Sequence, residues 1–455
     1  MLLETERATL QPYRLMPEPP RRALGGHLTE WLGVENAKGV LARLQRYAES
    51  CGPVARVTLG PVRMVVISDA HIASAVLDDP RANFKGAAYI LTRAVLDNVL
   101  LLNGEPWETH RKAYRQALRD VDALGSANRV VERKLDALRA GPLALDTFVN
   151  QLVGDVVGDF VAGVELTPGF EPHRKRIQYE LAGLGIDLQC QPWAYLSPAR
   201  WLKLRQSVEA ARAFFRSSVE ERIRRPRPEA RDVLNGFIQL AREGAYPSDA
   251  QNLQEGVVNF FFTAHDVLTS STAWCLHLLS KHPEIQSRLR ASLSAQSDGP
   301  LDRRALDDNA ELGRVICEAL RLFPGYALFG RTTQADMPIG GYMVPRGTML
   351  IVSPFVIHRL ERHYENAGSF DPDRWRGKST APISAMAVGQ YMPFGAGARG
   401  CLASHLAVPI MKTLVARVIR RFELVAHPTH EPKIAYWGTS YAENGLPVTV
   451  HGAAS

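Results

Sequence analysis

PFGAGARGCLASHLAVPIMKTLVARVIRRF, residues 393–422, holds three glycines, a single cysteine and then an amphipathic helical pattern. The glycines Gly395, Gly397 and Gly400 make a turn, Cys401 follows it, and apolar residues recur at helical spacing up to Phe422. A thiolate just ahead of a helix accepts backbone N–H bonds and meets the positive end of the helix dipole. Both favour the charged form. A thiolate held in this way suits a metal whose opposite face stays open. Residues 395–400 also fit G-x-G-x-x-G, the phosphate-cradling turn of dinucleotide-binding folds. That reading is poor in context, because AVGQYMPF before the turn is a weak strand and the chain ends at residue 455. A buried structural cysteine is the bland alternative, and the rest of the chain must decide.

Composition bounds the answer. The chain has 455 residues, 46% hydrophobic and 22% charged, as in an ordinary soluble globular protein. No run approaches the roughly 18 apolar residues of a membrane span, so no membrane anchor is expected. The N-terminus, MLLETERATLQPYRLMPEPPRR, lacks the apolar core of a signal peptide. Five irregularly spaced cysteines make no disulfide framework, which points to a reduced, cytoplasmic protein and, by expectation, a monomer. The net charge of +7 is spread among interleaved acidic residues, so no nucleic-acid partner is expected. The densest basic cluster, ERIRRPRPEARD (221–232), reads as a solvated loop. Mild positive charge suits steering toward an acidic protein partner.

Residues 1–25 read as an extended lead-in, and 26–455 as one large domain. PVARVTLGPVRMVVIS (53–68) reads as a hairpin about a Gly-Pro turn. Helical patterns dominate residues 70–325, with breaks at GPLAL (141–145), LTPGFEP (166–172) and RRPRPEA. A β-rich patch covers 331–354, and short strands near FELVAHP and GLPVTVHG close the chain. The fold class is mainly α with a small β subdomain.

GVVNFFFTAHDVLTSSTAWCLHLL (256–279) reads as one buried helix that carries Asp266 in its middle. Buried carboxylates need a partner or a purpose. A helix-bracing ion pair is one reading of Asp266 and a functional acid is the other. Phe260, Ala264, Val267 and Ser271 fall on one stripe of this helix.

The cysteine loop resembles a known pattern. Phe394, Gly397, Arg399 and Cys401 stand as in F-x-x-G-x-R-x-C-x-G, the cysteine-ligand loop of the cytochrome P450 superfamily, with Ala403 in place of the last glycine. The resemblance implies that Cys401 is the axial thiolate of haem b and that Phe394 and Arg399 belong to its cradle, Arg399 pairing with a propionate. A cysteine ligand pushes electron density onto iron and favours O–O cleavage. The implied fold sets the haem between a long distal helix and the helix after the cysteine loop. Further segments match in family order. ICEALRLFP (316–324) carries Glu318 and Arg321 as E-x-x-R, and SFDPDRW (369–375) resembles the segment that adds Arg374 to a structural triad. GEPWETHRKAYR (104–115) resembles the W-x-x-x-R helix, in which Trp107 and Arg111 would bind haem propionates with help from His110. Arg331 matches another propionate-binding arginine.

The same resemblance places TAHDV (263–267) at the oxygen-binding motif [AG]-G-x-[DE]-T, with Asp266 as the acid, Ala264 leaving room for oxygen, and Val267 where a threonine is usual. Thr269 lies about 200° round the helix from Val267 and cannot stand in. Thr263, one turn earlier, is a candidate hydroxyl. The implied function is monooxygenation of a lipophilic molecule of terpenoid, polyketide or fatty-acyl type, as in secondary metabolism. Asp266 and Thr263 would be the catalytic residues. Apolar segments 84–101, 181–196, 259–264 and 325–330 and the turn 436–441 are candidate walls, among them Phe260, Val267, Leu328 and Thr439. No reductase is fused to the chain, so a ferredoxin or flavodoxin type of partner is implied. The missing threonine keeps a peroxygenase, isomerase or dehydratase as the alternative.

Overall fold

The alternating β-branched residues on either side of Gly60-Pro61 form the expected hairpin. β2 (Val54–Leu59) pairs antiparallel with β3 (Val62–Ile67), and Val57, Leu59, Met64 and Ile67 are buried. The computed structural model describes residues 10–21, 26–31, 38–86, 99–100, 102–166, 170, 172, 198–295, 299, 301–378 and 390–452. The candidate wall segment 181–196 and residues 87–98 and 101 of the segment 84–101 lie outside them. The patch at 331–354 supplies β5 (Phe329–Thr332), β6 (Met337–Ile339), β7 (Tyr342–Val344) and β8 (Met349–Val352). β8 lies parallel to β3 and antiparallel to β5, giving a sheet ordered β2-β3-β8-β5. Part of the lead-in is docked: β1 (Gln11–Pro12) pairs with β7 at Tyr342 and Met343.

One expected break is a strand. Gly141–Ala144, β4, pairs with β12 (Pro447–Gly452), which also pairs with β9 (Phe422–Ala426). Gly and Pro weaken a strand signal, yet here they sit on an edge, where a missing N–H costs little. β10 (Ile434–Trp437) and β11 (Thr439–Ala442) form a separate hairpin.

The helices that position the site are α1 (Val40–Cys51), α2 (Ala70–Asp78), α3 (Gly104–Ala117), α4 (Ala123–Ala137), α5 (Leu145–Ala162), α6 (Pro198–Arg224), α7 (Val233–Arg242), α8 (Ala250–Lys281), α9 (Pro283–Ser294), α10 (Ala310–Leu322) and α11 (Ser404–Arg421). The basic stretch at 221–232 is not wholly loop, because α6 runs to Arg224. Arg222 is buried and ion-paired with Asp232 at 2.8 Å, which removes it from any solvated cluster.

α8 is the axis of the molecule. Asp249 caps it by accepting from Asn252 N–H at 3.0 Å, and His282-Pro283 stops it, since Pro283 opens the next helix. α8 packs against α5, α6, α7, α10 and α11, so most of its circumference is buried. The hairpin β10–β11 is pinned to it, with Ser440 O accepting from Ser270 Oγ at 2.6 Å and from Trp274 Nε1 at 3.1 Å. Among the described residues no helix is long and apolar enough to cross a membrane.

Candidate active site

The cysteine loop turns on two glycines. Gly395 and Gly397 have φ of 71° and 68°, in the left-handed region. A Cβ on Gly397 would stand 2.2 Å from the carbonyl oxygen of Leu77, at the end of α2. The loop closes on itself, with Gly395 N–H donating to Met392 O at 3.1 Å and Cys401 N–H to Phe394 O at 2.9 Å. Residues Gly397–Arg399 form a 3-10 turn, and α11 starts at Ser404. Ala403, where the pattern has glycine, sits at φ −104°, which alanine adopts without strain.

Cys401 is exposed at its surface. Burial nevertheless pushes its thiol above the usual range, opposed by the N–H of Ala403, the Arg111 charge and the N–H of Ser404. Arg111 Nη2 donates to Gly400 O at 2.6 Å, tying α3 to the loop. Trp107, buried on the same face of α3, has two guanidinium groups over its ring, Arg399 at 4.5 Å and Arg111 at 5.5 Å from the ring centre. His110 turns elsewhere: its Nδ1 contacts Pro106 O at 2.8 Å and its ring meets Tyr246 edge-on at 6.5 Å.

The structure gathers a cluster of cations. Arg399 donates from Nε to Asn83 Oδ1 at 2.6 Å and from Nη2 to Leu102 O at 2.9 Å and Asn103 Oδ1 at 3.1 Å. Arg331, buried, and Lys85 both donate to Gly330 O, at 2.9 and 3.1 Å. Burial and the neighbouring charges of Arg331 and Arg399 hold the Lys85 ammonium well below its usual range. Lys85 and Asn103 are missing from the sequence reading. Asn103 stands at the N-cap of α3, but its amide does not cap that helix. It accepts from Lys85 N–H at 2.8 Å and donates to Lys85 O at 2.9 Å, so it joins Lys85 to Arg399. No local pattern distinguishes this lysine; only the chain's return past Gly330 shows what it does.

Behind the loop, Glu318, Arg321 and Arg374 come together. Glu318 accepts from Arg321 Nε and Nη2 at 2.9 and 2.8 Å, and from Arg374 Nε at 2.9 Å. Trp375 Nε1 and Asp371 N–H complete its shell at 2.9 and 3.0 Å. Glu318 and Arg321 are 0% exposed, and full pairing is what makes such burial tolerable. Arg321 also donates to the carbonyls of His358, Ala367 and Ser369 at 2.6, 2.7 and 2.8 Å, bracing residues 358–369.

On α8, Thr263, Ala264 and Val267 are only half-buried, whereas Phe260, Phe261, His265, Leu268 and Ser271 are buried. These three fall within about 100° of one another on the helix, and Asp266 and Thr269, also half-buried, follow on one side of them. The stripe is therefore not uniform. Phe260 meets Phe160 of α5 edge-on at 6.2 Å, and Ser271 and Val267 pack beside Gly325. Leu328 is half-buried against the core, and Thr439 is buried in β11. Asp266 Oδ1 lies 3.1 Å from Nδ1 of the fully buried His265, whose Nε2 lies 3.2 Å from Asn150 O of α5. Thr263 Oγ1 donates to Asn259 O at 2.7 Å, so its proton is directed into the helix backbone.

This donor set fits a thiolate-ligated haem, the group that the resemblance implies. Cys401 offers sulfur to a metal, and Lys85, Arg331 and Arg399 converge as cations that an anionic edge would neutralise.

Comparison with known proteins agrees with these features. The family model described as Cytochrome P450 matches residues 17–444. The chain is 33% identical over 236 residues to Cytochrome P450 714D1 of Oryza sativa subsp. japonica, an alignment covering 50% of this chain and 40% of that protein. It is 23% identical over 415 residues to Cytochrome P450 4V2 of Homo sapiens, covering 83% and 78% of the two chains. It is 24% identical over 405 residues to Pentalenene oxygenase of Streptomyces avermitilis, covering 86% and 88%.

Proposed function

On the premise that this chain belongs to the cytochrome P450 family, whose members bind haem iron, we propose that it is a haem b monooxygenase acting on a lipophilic small molecule. The observation that carries the reading is Cys401, an accessible thiol in a glycine turn with two backbone N–H groups and Arg111 directed at it. Bound through Cys401, the haem would supply the redox chemistry that activates oxygen. The residues of the chain have separate tasks. Lys85, Arg331 and Arg399 would hold the propionates, and Arg111 and Trp107 would close that edge. Asp266 would pass a proton toward the half-buried Ala264 and Val267, and His265 holds its carboxylate against the helix. Thr263 Oγ1 retains acceptor lone pairs but gives its proton to Asn259 O. A hydroxyl on the substrate, or an ordered water, would then complete proton delivery beside Val267.

The half-buried apolar side chains of Ala264 and Val267 on α8, and of Leu328, support a terpenoid, polyketide or fatty-acyl substrate. One relative is named for oxygenating pentalenene, which favours the terpenoid class. A separate ferredoxin or flavodoxin type of protein would supply electrons. Val267 also supports a second reading, turnover with peroxide, because the residue that usually steers protons is absent.

The decisive measurement is the absorption spectrum of the reduced protein with carbon monoxide. A red-shifted Soret band is expected from thiolate ligation, and protein that takes up no haem from an adequate supply overturns the reading. Coupling of reductant to product then separates the two uses. Val267→Thr should raise coupling on substrates without a hydroxyl; wild type already tightly coupled on them rules out substrate assistance.

A further inference from the structure

The segment that leads into the cysteine loop, Gln390 to Met392, is held from three sides. Tyr364 Oη donates to Gln390 O at 2.8 Å, and Tyr391 Oη donates to Cys317 O of α10 at 3.1 Å. The third tie is His358, which is fully buried and has both ring nitrogens engaged. Its Nδ1 lies 3.1 Å from Arg321 O, a pure acceptor, so Nδ1 carries the proton. Its Nε2 is then unprotonated and accepts the Met392 N–H at 3.0 Å. Burial pushes the imidazole down to about 3, in keeping with a neutral ring that donates at one end and accepts at the other. Arg321 returns a bond to His358 O at 2.6 Å, and Tyr391 stacks on the imidazole at 5.5 Å and 24°. A chain of bonds therefore runs from the paired Glu318 and Arg321 through His358 to Met392. Met392 O next accepts from Gly395 N–H, and Phe394 O accepts from Cys401 N–H.

We propose that His358 is a positioning residue for Cys401: by joining Arg321 O to the Met392 N–H, it fixes the point at which the cysteine loop starts. The loop's glycines favour no single path of their own, so the position of the sulfur depends on how its entry is anchored. This inference rests on the reading of Cys401 as a haem ligand.

The test uses two amides that imitate different halves of the ring, in haem-loaded full-length protein. His358→Asn places its amide near Nδ1 and keeps the bond to Arg321 O, but cannot reach Met392. His358→Gln extends its oxygen toward Nε2 and can accept the Met392 N–H. The readout is the fraction of reduced, carbon monoxide-bound protein with the red-shifted thiolate band, and the rate at which that band is lost on mild heating. Thermal unfolding of the three proteins without haem reports general damage separately. The expected result is faster loss in His358→Asn by about tenfold or more, with His358→Gln close to wild type. Equal loss rates in all three proteins, or loss in both variants that follows their unfolding, overturns the proposal. A wild type without the thiolate band would instead overturn the reading of Cys401, so the two failures are distinguishable.

Discussion

Gly325 and Val267 meet so closely that a Cβ on the glycine would stand 3.1 Å from the Cβ of the valine. The loop after α10 thus rests directly on the half-buried position of α8 where the family pattern has a threonine. Gly325→Ala should crowd this contact and destabilise the protein by about 1–3 kcal/mol, the usual cost of overpacking. Val267→Ala in the same protein should recover most of that loss. A double-mutant cycle by chemical denaturation measures it, and additive effects would mean that the two residues do not press on one another.

Gly397 illustrates a backbone requirement in place of a side-chain one. Its φ of 68° and the Leu77 oxygen 2.2 Å from any added Cβ leave no room for alanine. Gly397→Ala should displace the cysteine loop from α2 and abolish most thiolate-ligated haem. Gly299→Ala, whose Cβ would meet nothing within 4 Å, should leave the carbon monoxide spectrum unchanged.

Glu318 is the only acid in contact with both Arg321 and Arg374 among the described residues. Glu318→Gln keeps the shape but leaves two guanidinium groups facing a neutral amide. Breaking a buried pair in this way costs about 3–5 kcal/mol. Urea unfolding should show it, and a loss below about 1 kcal/mol would mean that water reaches the cluster.

Asp266 and His265 make separable predictions. If Asp266 passes protons, Asp266→Asn should lower turnover on the order of 10²-fold or more while leaving the carbon monoxide spectrum intact. A helix brace alone predicts the opposite pattern, with stability lost and turnover kept. His265→Phe fills the same space beside Phe261 but frees the carboxylate from its ring, so it should impair coupling more than haem binding.

Acid should destabilise the fold through buried histidines. Burial lowers His277 from 6.5 to about 4 and His358 to about 3. Between the unfolded and folded values only the unfolded state takes up the proton, so stability is intact above pH 6.5 and falls as pH drops toward 4. Each such histidine contributes a slope of about 1.4 kcal/mol per pH unit in its window. His277→Gln should flatten the acid limb between pH 6.5 and 4 by about that slope. Unfolding midpoints in urea across this range measure it, and an unchanged slope would mean that His277 is not the group responsible.

Local chemistry determined a large part of this protein. The alternation at 54–67, the periodicity of α8 and α11, and the spacing of Glu318 with Arg321 each express an interaction within a few residues, which is why each is legible in sequence. The glycines before Cys401 are legible for the same reason, because a left-handed φ restricts which residues can stand there. Tertiary structure alone decided what depends on distant segments meeting. β4 became a strand because β12 offered it a partner some three hundred residues away. Lys85 entered the cation cluster because Gly330 and Asn103 close round it, and Asn103 gave up its capping role to do so. His358 reached Met392 only because Arg321 holds residues 358–369 against α10. A hydrogen bond acts over about 3 Å whatever the separation in sequence. Cys401, Arg111 and the triad of Glu318, Arg321 and Arg374 were therefore readable in sequence, while His358, Lys85 and Asn103 were not.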